Sequence, residues 1–110
     1  ITDLAVEYLI KCDFKQLQKL GLSNTSITDT GVQHLIKCNY KHLRYLNLSS
    51  TLITDKAVEY MIKCNFEQLQ EINLTYTEIS EEAIEHLAKC DFKQLQVLNL
   101  SCTPIDDEAV

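Results

Sequence analysis

Cysteine and histidine are the residues of this 110-residue chain whose chemistry could serve a metal site, a disulfide or a nucleophile with its base. Four of the five cysteines recur every 26 residues, and the fifth, Cys102, stands outside that series as a candidate free thiol. Zinc-binding cysteines usually come in pairs two to four residues apart, so this spacing predicts no metal site. The recurring residues are Cys12, Cys38, Cys64 and Cys90.

The three histidines give no catalytic arrangement either. His34 and His86 hold the same position in units two apart, which places them roughly 18–20 Å from each other if helices pack at the usual distance. His42 falls in a loop and has no counterpart in the other units. No histidine comes within hydrogen-bond reach of a buried cysteine in this arrangement. We therefore predict no catalytic residue and no cofactor, and we do not expect an enzyme.

A 26-residue unit accounts for the regular spacing. It occupies residues 1–26, 27–52, 53–78 and 79–104 of a single domain, 1–110, and begins a partial fifth copy at 105–110. A fixed period of this length predicts a solenoid, in which each unit buries its apolar face against its neighbours. Since neither end carries a polar-faced terminal unit, we expect the chain to belong to a longer array.

Each unit contains the pattern of one strand and one helix. In the third, alternating apolar positions predict a short strand, and a stripe of apolar residues predicts a helix with Thr54 or Asp55 as its N-cap. Phe66 is expected to fill the loop between them. The strand positions are Leu69, Ile72, Leu74 and Thr77, and the helix positions are Ala57, Val58, Met61 and Ile62.

One strand per unit predicts a parallel sheet with right-handed crossovers. Strands pack ~4.8 Å apart and helices ~9–10 Å apart, so the stack must curve. The strands then lie on the concave face and the helices on the convex face. This arrangement is an α/β horseshoe.

The segment Leu43-Arg44-Tyr45-Leu46-Asn47-Leu48-Ser49-Ser50-Thr51 has the form L-x-x-L-x-L-x-x-T, which resembles the signature of the leucine-rich repeat family. The resemblance covers all four units and implies a right-handed leucine-rich-repeat solenoid that recognises a protein through its concave face. The unit length, the I-T-D opening and the recurring cysteine resemble the repeats of F-box substrate receptors. The T-x-I-T-D-x-[AG] run also resembles ribonuclease-inhibitor-type repeats and those of bacterial effectors.

Two sets of equivalent residues are expected to be structural. The threonines take the place where the family usually has Asn or Cys, and they should satisfy backbone groups in the turn after each strand. The four recurring cysteines should be small, well-buried residues. The threonines of this ladder are Thr25, Thr51, Thr77 and Thr103.

The outward side of the strands is the candidate protein-binding surface. It carries exposed tyrosines, which often dominate interfaces, together with charged residues and three equivalent asparagines that could hydrogen-bond along the sheet. The predicted binding residues are Lys19, Arg44, Tyr45, Asn47, Glu71, Asn73, Tyr76, Val97 and Asn99.

Charge and composition argue against nucleic acid and membrane as binding partners. The net charge is −6, divided into +1 for residues 1–55 and −7 for residues 56–110, which is unlike a basic nucleic-acid footprint. Much of the acid, including Asp3 and Asp29, falls at predicted helix starts, where the helix dipole favours it. The apolar runs are too short to cross a bilayer. An odd number of cysteines without a signal peptide predicts a cytoplasmic location.

We therefore expect a protein–protein interaction module with a protein partner, no nucleic acid and no membrane. A narrower hypothesis makes it the substrate-recognition part of an F-box-type ubiquitin ligase. The alternatives are a bacterial or parasite effector, or a repeat array that acts as a structural spacer without a ligand on this segment.

Overall fold

Helices and strands alternate along the chain in the computed structural model, which describes residues 2–11, 16–38, 40–63, 66–90 and 94–105. The helices are α1 (Asp3–Leu9), α2 (Asp29–Leu35), α3 (Asp55–Met61) and α4 (Glu81–Ala88). The strands are β1 (Lys19–Gly21), β2 (Tyr45–Asn47), β3 (Glu71–Asn73) and β4 (Val97–Asn99). Each predicted unit contributes one helix and one strand.

The four strands form one parallel sheet in the order β1-β2-β3-β4. Residues 26 apart are partners throughout, so that Lys19 pairs with Tyr45 and Tyr45 with Glu71. The hydrogen bonding continues just before each strand, where the carbonyl of Gln18 accepts the N–H groups of Arg44 at 2.8 Å and Tyr45 at 3.1 Å. The sequence period therefore sets the sheet register directly. The predicted α/β solenoid is confirmed.

The core lies between the sheet and the helices. Ala57, Val58 and Met61 of α3 are buried, as the helical stripe predicted, whereas Ile62 is half-buried. On the strand side Leu46 and Ile72 are 2% and 0% exposed, while the equivalent Leu98 is 38% exposed. The second and third units have a neighbour on each side within this sequence, and their apolar residues are accordingly the best buried.

The loops and caps follow the predicted chemistry. Phe66 is buried in the loop before β3, and its ring stacks on that of Tyr40 in the preceding unit, with centroids 6.0 Å apart. Thr54 is the N-cap of α3, and its hydroxyl accepts the N–H of Lys56 at 3.3 Å. Asp55 is the first helical residue instead of the cap.

Candidate functional site

A row of three chemically different side chains crosses the concave face. The register aligns Lys19, Tyr45 and Glu71 on adjacent strands, with Val97 continuing the row on β4. Lys19 and Val97 are exposed, Tyr45 is 37% exposed, and Glu71 is half-buried. The Lys19 ammonium lies 5.3 Å from the centroid of the Tyr45 ring, within the range of a cation–π interaction. The row therefore presents a cation, an aromatic ring, a carboxylate and an apolar side chain in that order.

An open groove of about 500 Å³ lies along this row. Five of the nine predicted binding residues line it: Lys19, Tyr45, Asn47, Glu71 and Asn73. The groove also includes Gly21, where a Cβ atom would meet nothing within 4 Å. The other three units carry an asparagine at this position, so the missing side chain of Gly21 leaves the space open.

Sequence reasoning did not single out Gly21 as part of the site. The available indication was a glycine in a row that otherwise contains only asparagine. Its backbone does not have a positive φ, so the turn does not require glycine there. The absence of a side chain is what distinguishes this end of the surface.

The asparagines serve the turns as well as lining the surface. The Oδ1 atom of Asn47 accepts the backbone N–H of Ser49 at 3.0 Å and its hydroxyl at 2.7 Å. Asn73 binds Thr75 in the same way, and Asn99 accepts the N–H of Ser101 at 3.1 Å. These Oδ1 atoms bond within their own unit. All three residues are half-buried.

The remaining predicted residues do not line the groove. Arg44 is exposed one residue before β2, and Tyr76 lies in the turn after β3. Val97 and Asn99 belong to β4, beyond the groove. The nine residues therefore divide into a central cluster and a more distant set.

The backbone of Tyr76 is in the left-handed region, which is unusual for a tyrosine. This residue has a φ of 55° and is 67% exposed. The equivalent Asn24, Ser50 and Cys102 also have φ between 54° and 57°, so the turn imposes this left-handed conformation in every unit. Hydrogen bonding to Cys102 raises the pKa of the Tyr76 hydroxyl above its ordinary value, with smaller contributions from charge interaction and burial.

The threonine ladder has the structural role that the sequence predicted. In each unit the hydroxyl donates to the carbonyl three residues earlier, at 2.7–2.8 Å. Thr51 and Thr77 are buried, and the two outer members are half-buried. These hydrogen bonds close the turn after each strand. The donors are Thr25, Thr51, Thr77 and Thr103.

The cysteines are less buried than predicted. Cys38 and Cys90 are half-buried and Cys102 is exposed, and none of these three forms a disulfide. The Cys38 thiol donates to the carbonyl oxygen of Ile10, the C-cap residue of α1, at 3.5 Å, and the side chain also packs against the hydrophobic core. Cys12 and Cys64 lie outside the described residues.

Aspartates at the helix starts join successive units, a role that sequence reasoning missed. Asp29 accepts the backbone N–H of Thr54 at 2.7 Å through Oδ1 and the Thr54 hydroxyl at 2.6 Å through Oδ2. Asp3 binds Thr28 in the same two-point manner, and Asp55 binds the N–H and hydroxyl of Ser80. The helix dipole explains an acidic residue at this position, but only the fold reveals its partner one unit away.

Two classes of site receive no structural support in the part of the chain that is described. Within it, no group of three or more His, Cys, Asp or Glu side chains is arranged to hold a metal ion. No helix there is both long and apolar enough to span a membrane.

The parallel sheet, the regular register and the helix on the other side of each unit define an α/β solenoid repeat protein. The model of the family described as "Leucine Rich repeat" matches residues 41–61, which include β2 and α3, and residues 94–110, which include β4. Two of the units therefore match the leucine-rich repeat family, as their L-x-x-L-x-L pattern predicted.

Other comparisons give a structural likeness. An internalin (inlF) from Listeria monocytogenes, solved by crystallography, is similar to this chain with 21% sequence identity and a TM-score of 0.48. The match covers 93% of this chain and 32% of the internalin, so the chain spans about a third of that protein's length. No curated protein matches the sequence.

Proposed function

We propose that this domain binds a protein partner through the concave surface centred on Lys19, Tyr45 and Glu71. The observation that carries the proposal is the alignment of these residues by the sheet register along an open groove. The opposite side of the same strands packs into the core, so the outward side is available to a partner. Leucine-rich repeat proteins generally bind other proteins, which supports a role as an interaction module.

Rigidity supports this assignment. Each strand of the groove is fixed by parallel pairing, and the Asp–Thr and Asp–Ser hydrogen bonds fix the helices of adjacent units. Binding therefore requires little ordering of the protein, which preserves more of the contact energy as affinity. The exposed Tyr45 is of the residue type enriched at the centre of interfaces.

The cellular setting belongs to the same proposal. We place the protein in a reducing cytoplasm, where cysteines outside any disulfide, such as Cys38 and Cys102, persist as thiols. Within it, the resemblance to F-box receptors supports the narrower role of substrate recognition for a ubiquitin ligase. We infer binding as the role of the groove, because its lining presents a cation, an aromatic ring and a carboxylate in one aligned row.

The test is capture of partners from native lysate by the full-length protein, with Tyr45→Ala compared with wild type. We expect a specific partner to be weakened at least tenfold, since a central aromatic residue in an interface often contributes ~2 kcal/mol or more. The matched control is Tyr8→Ala, because Tyr8 is a 60% exposed tyrosine on helix α1. Circular dichroism and thermal melting would establish that both variants fold.

The outcomes separate the alternatives. Loss with Tyr45→Ala alone supports the concave surface, and ubiquitin-ligase subunits among the captured proteins would support the narrower role. Loss with Tyr8→Ala alone moves the site to the convex helices and contradicts the proposal. Equal capture by all three proteins contradicts it as well, and favours the structural spacer or an effector whose binding surface lies elsewhere.

A further inference from the structure

The groove carries opposite charges at its two ends, on strands two apart. Lys19 on β1 and Glu71 on β3 flank Tyr45 on β2 in one aligned row. With strands ~4.8 Å apart, the two charged positions are separated by about 9.6 Å. The Lys19 ammonium lies over the Tyr45 ring. Both charged residues line the same open space, so a ligand lying across the strands meets a cation, a ring and a carboxylate in succession.

The spacing of these two strand positions selects a ligand conformation. In polyproline II geometry, residues i and i+3 lie on the same side about 9.3 Å apart, which matches the row. In a β-strand, the same-side residues are i and i+2 at about 6.7 Å or i and i+4 at about 13 Å, and neither spacing matches. In an α-helix the same-side residues are i and i+3 or i+4, about 4.5–6 Å apart along the axis, and i and i+7, about 10.5 Å apart; the polyproline II spacing is closer to the row than any of these.

Resting on the proposed concave binding function, we propose that the groove takes a peptide segment in polyproline II conformation that carries opposite charges at positions i and i+3. Its carboxylate pairs with Lys19 and its cation pairs with Glu71. The two residues between them cross Tyr45, whose ring lies beneath the Lys19 ammonium and lines the same groove. The space above Gly21 accommodates the peptide backbone, because no side chain fills it.

Selection of random dodecapeptides displayed on phage tests this directly. The wild-type domain and the charge-exchanged Lys19→Glu/Glu71→Lys variant are used as parallel targets, with circular dichroism to establish that the variant folds. We expect the wild type to enrich peptides with an acidic and a basic residue three positions apart in one order. The exchanged variant should enrich the reverse order, since both ends of the groove have changed sign. This design does not depend on which way the peptide runs.

Affinity measurements with one synthetic wild-type-selected peptide provide a second readout. The exchanged variant should bind it at least tenfold more weakly, and a peptide with its two charged residues interchanged should recover that affinity. Moving the charges to positions i and i+4 should weaken binding to the wild type. Binding of the original peptide should also weaken as salt rises, because the charged groups lie at an open surface.

The results distinguish this inference from the concave-surface function on which it rests. Peptides that need Tyr45 but show no charge order, or keep the same order on the exchanged variant, overturn the inference and leave concave binding supported. Peptides that bind Tyr45→Ala as well as wild type count against both. Failure to enrich any peptide overturns the inference, while the capture experiment with full-length protein decides the broader proposal separately.

Discussion

Replacing Gly21 with asparagine should stabilise the domain and obstruct its groove. Gly21 stands where the other units have Asn47, Asn73 and Asn99, and a Cβ atom there meets nothing within 4 Å. The new side chain therefore has room. Glycine within a strand is less favourable than alanine by roughly 0.5–1 kcal/mol, because it loses more backbone entropy on folding.

The asparagine should also gain a hydrogen bond. In the second unit, Asn47 Oδ1 accepts the N–H of Ser49 at 3.0 Å, and the corresponding N–H in the first unit belongs to Ser23. Gly21 offers Ser23 no such acceptor. A typical intramolecular hydrogen bond contributes about 0.5–1.5 kcal/mol net. Asparagine is a poor strand former, which offsets part of the gain. We expect a net increase of about 1 kcal/mol.

Urea unfolding followed by circular dichroism measures this change in the free energy of unfolding. In thermal unfolding, an increase of 1 kcal/mol corresponds to about 4–8 °C for a domain near 100 residues. The matched control is Gly21→Ala, which adds a Cβ atom without an acceptor. The difference between Gly21→Asn and Gly21→Ala reports the hydrogen bond to Ser23.

Two results would refute the reasoning. Destabilisation by Gly21→Asn would show that the space at Gly21 does not accommodate the side chain. Equal stability of the asparagine and alanine variants would show that the turn hydrogen bond does not form in the first unit. If the groove binds a peptide, Gly21→Asn should weaken that binding even as the domain becomes more stable, since the side chain occupies the open space.

Three further predictions concern the helix starts and the turn row. Asp29→Ala should lower the free energy of unfolding, measured in urea, by about 1–2 kcal/mol, since it removes charged hydrogen bonds to Thr54 that are partly exposed to solvent. The control is Glu85→Ala, which removes an exposed carboxylate on α4. An equal loss of stability in that variant would contradict a specific contact between units. Tyr76→Gly should raise stability by about 1 kcal/mol in thermal melts, because glycine adopts a φ of 55° without the steric strain of a side chain, and a lower melting temperature would show that the tyrosine's contacts outweigh that strain. The Cys102 hydrogen bond raises the pKa of the Tyr76 hydroxyl, so any stability that this bond provides is present below the unfolded pKa and is lost as pH rises through the higher folded pKa. Ultraviolet titration of tyrosinate should show this pKa moving down in Cys102→Ala, and an unchanged titration would exclude the hydrogen bond as its cause.

The sequence predicted one role of the helix-start aspartates and missed a second. An acidic residue at a helix start is favourable with the dipole alone, which is what the sequence indicated for Asp29. The structure adds that its two oxygens bind the N–H and hydroxyl of Thr54, 25 residues later. The carboxylate thus stabilises the contact between units in addition to its own helix.

The sequence determined the architecture of this protein because its 26-residue period has a direct physical counterpart. Residues one period apart become partners in a parallel sheet, so the rows on the concave face, including Lys19, Tyr45 and Glu71, follow from alignment of the units. Apolar alternation determined which strand positions face the core, and the recurring threonines determined how each turn closes.

Only the tertiary structure decided which polar atoms remain available on that surface. The Oδ1 atom of Asn47 could have accepted along the sheet or within its own turn, and its distances to Ser49 place it in the turn. The groove at Gly21 depends on the open space around a missing side chain, and the partner of Asp29 depends on where a neighbouring helix begins. A hydrogen bond requires placement within a few tenths of an ångström, whereas a periodic sequence specifies only which residues share a row.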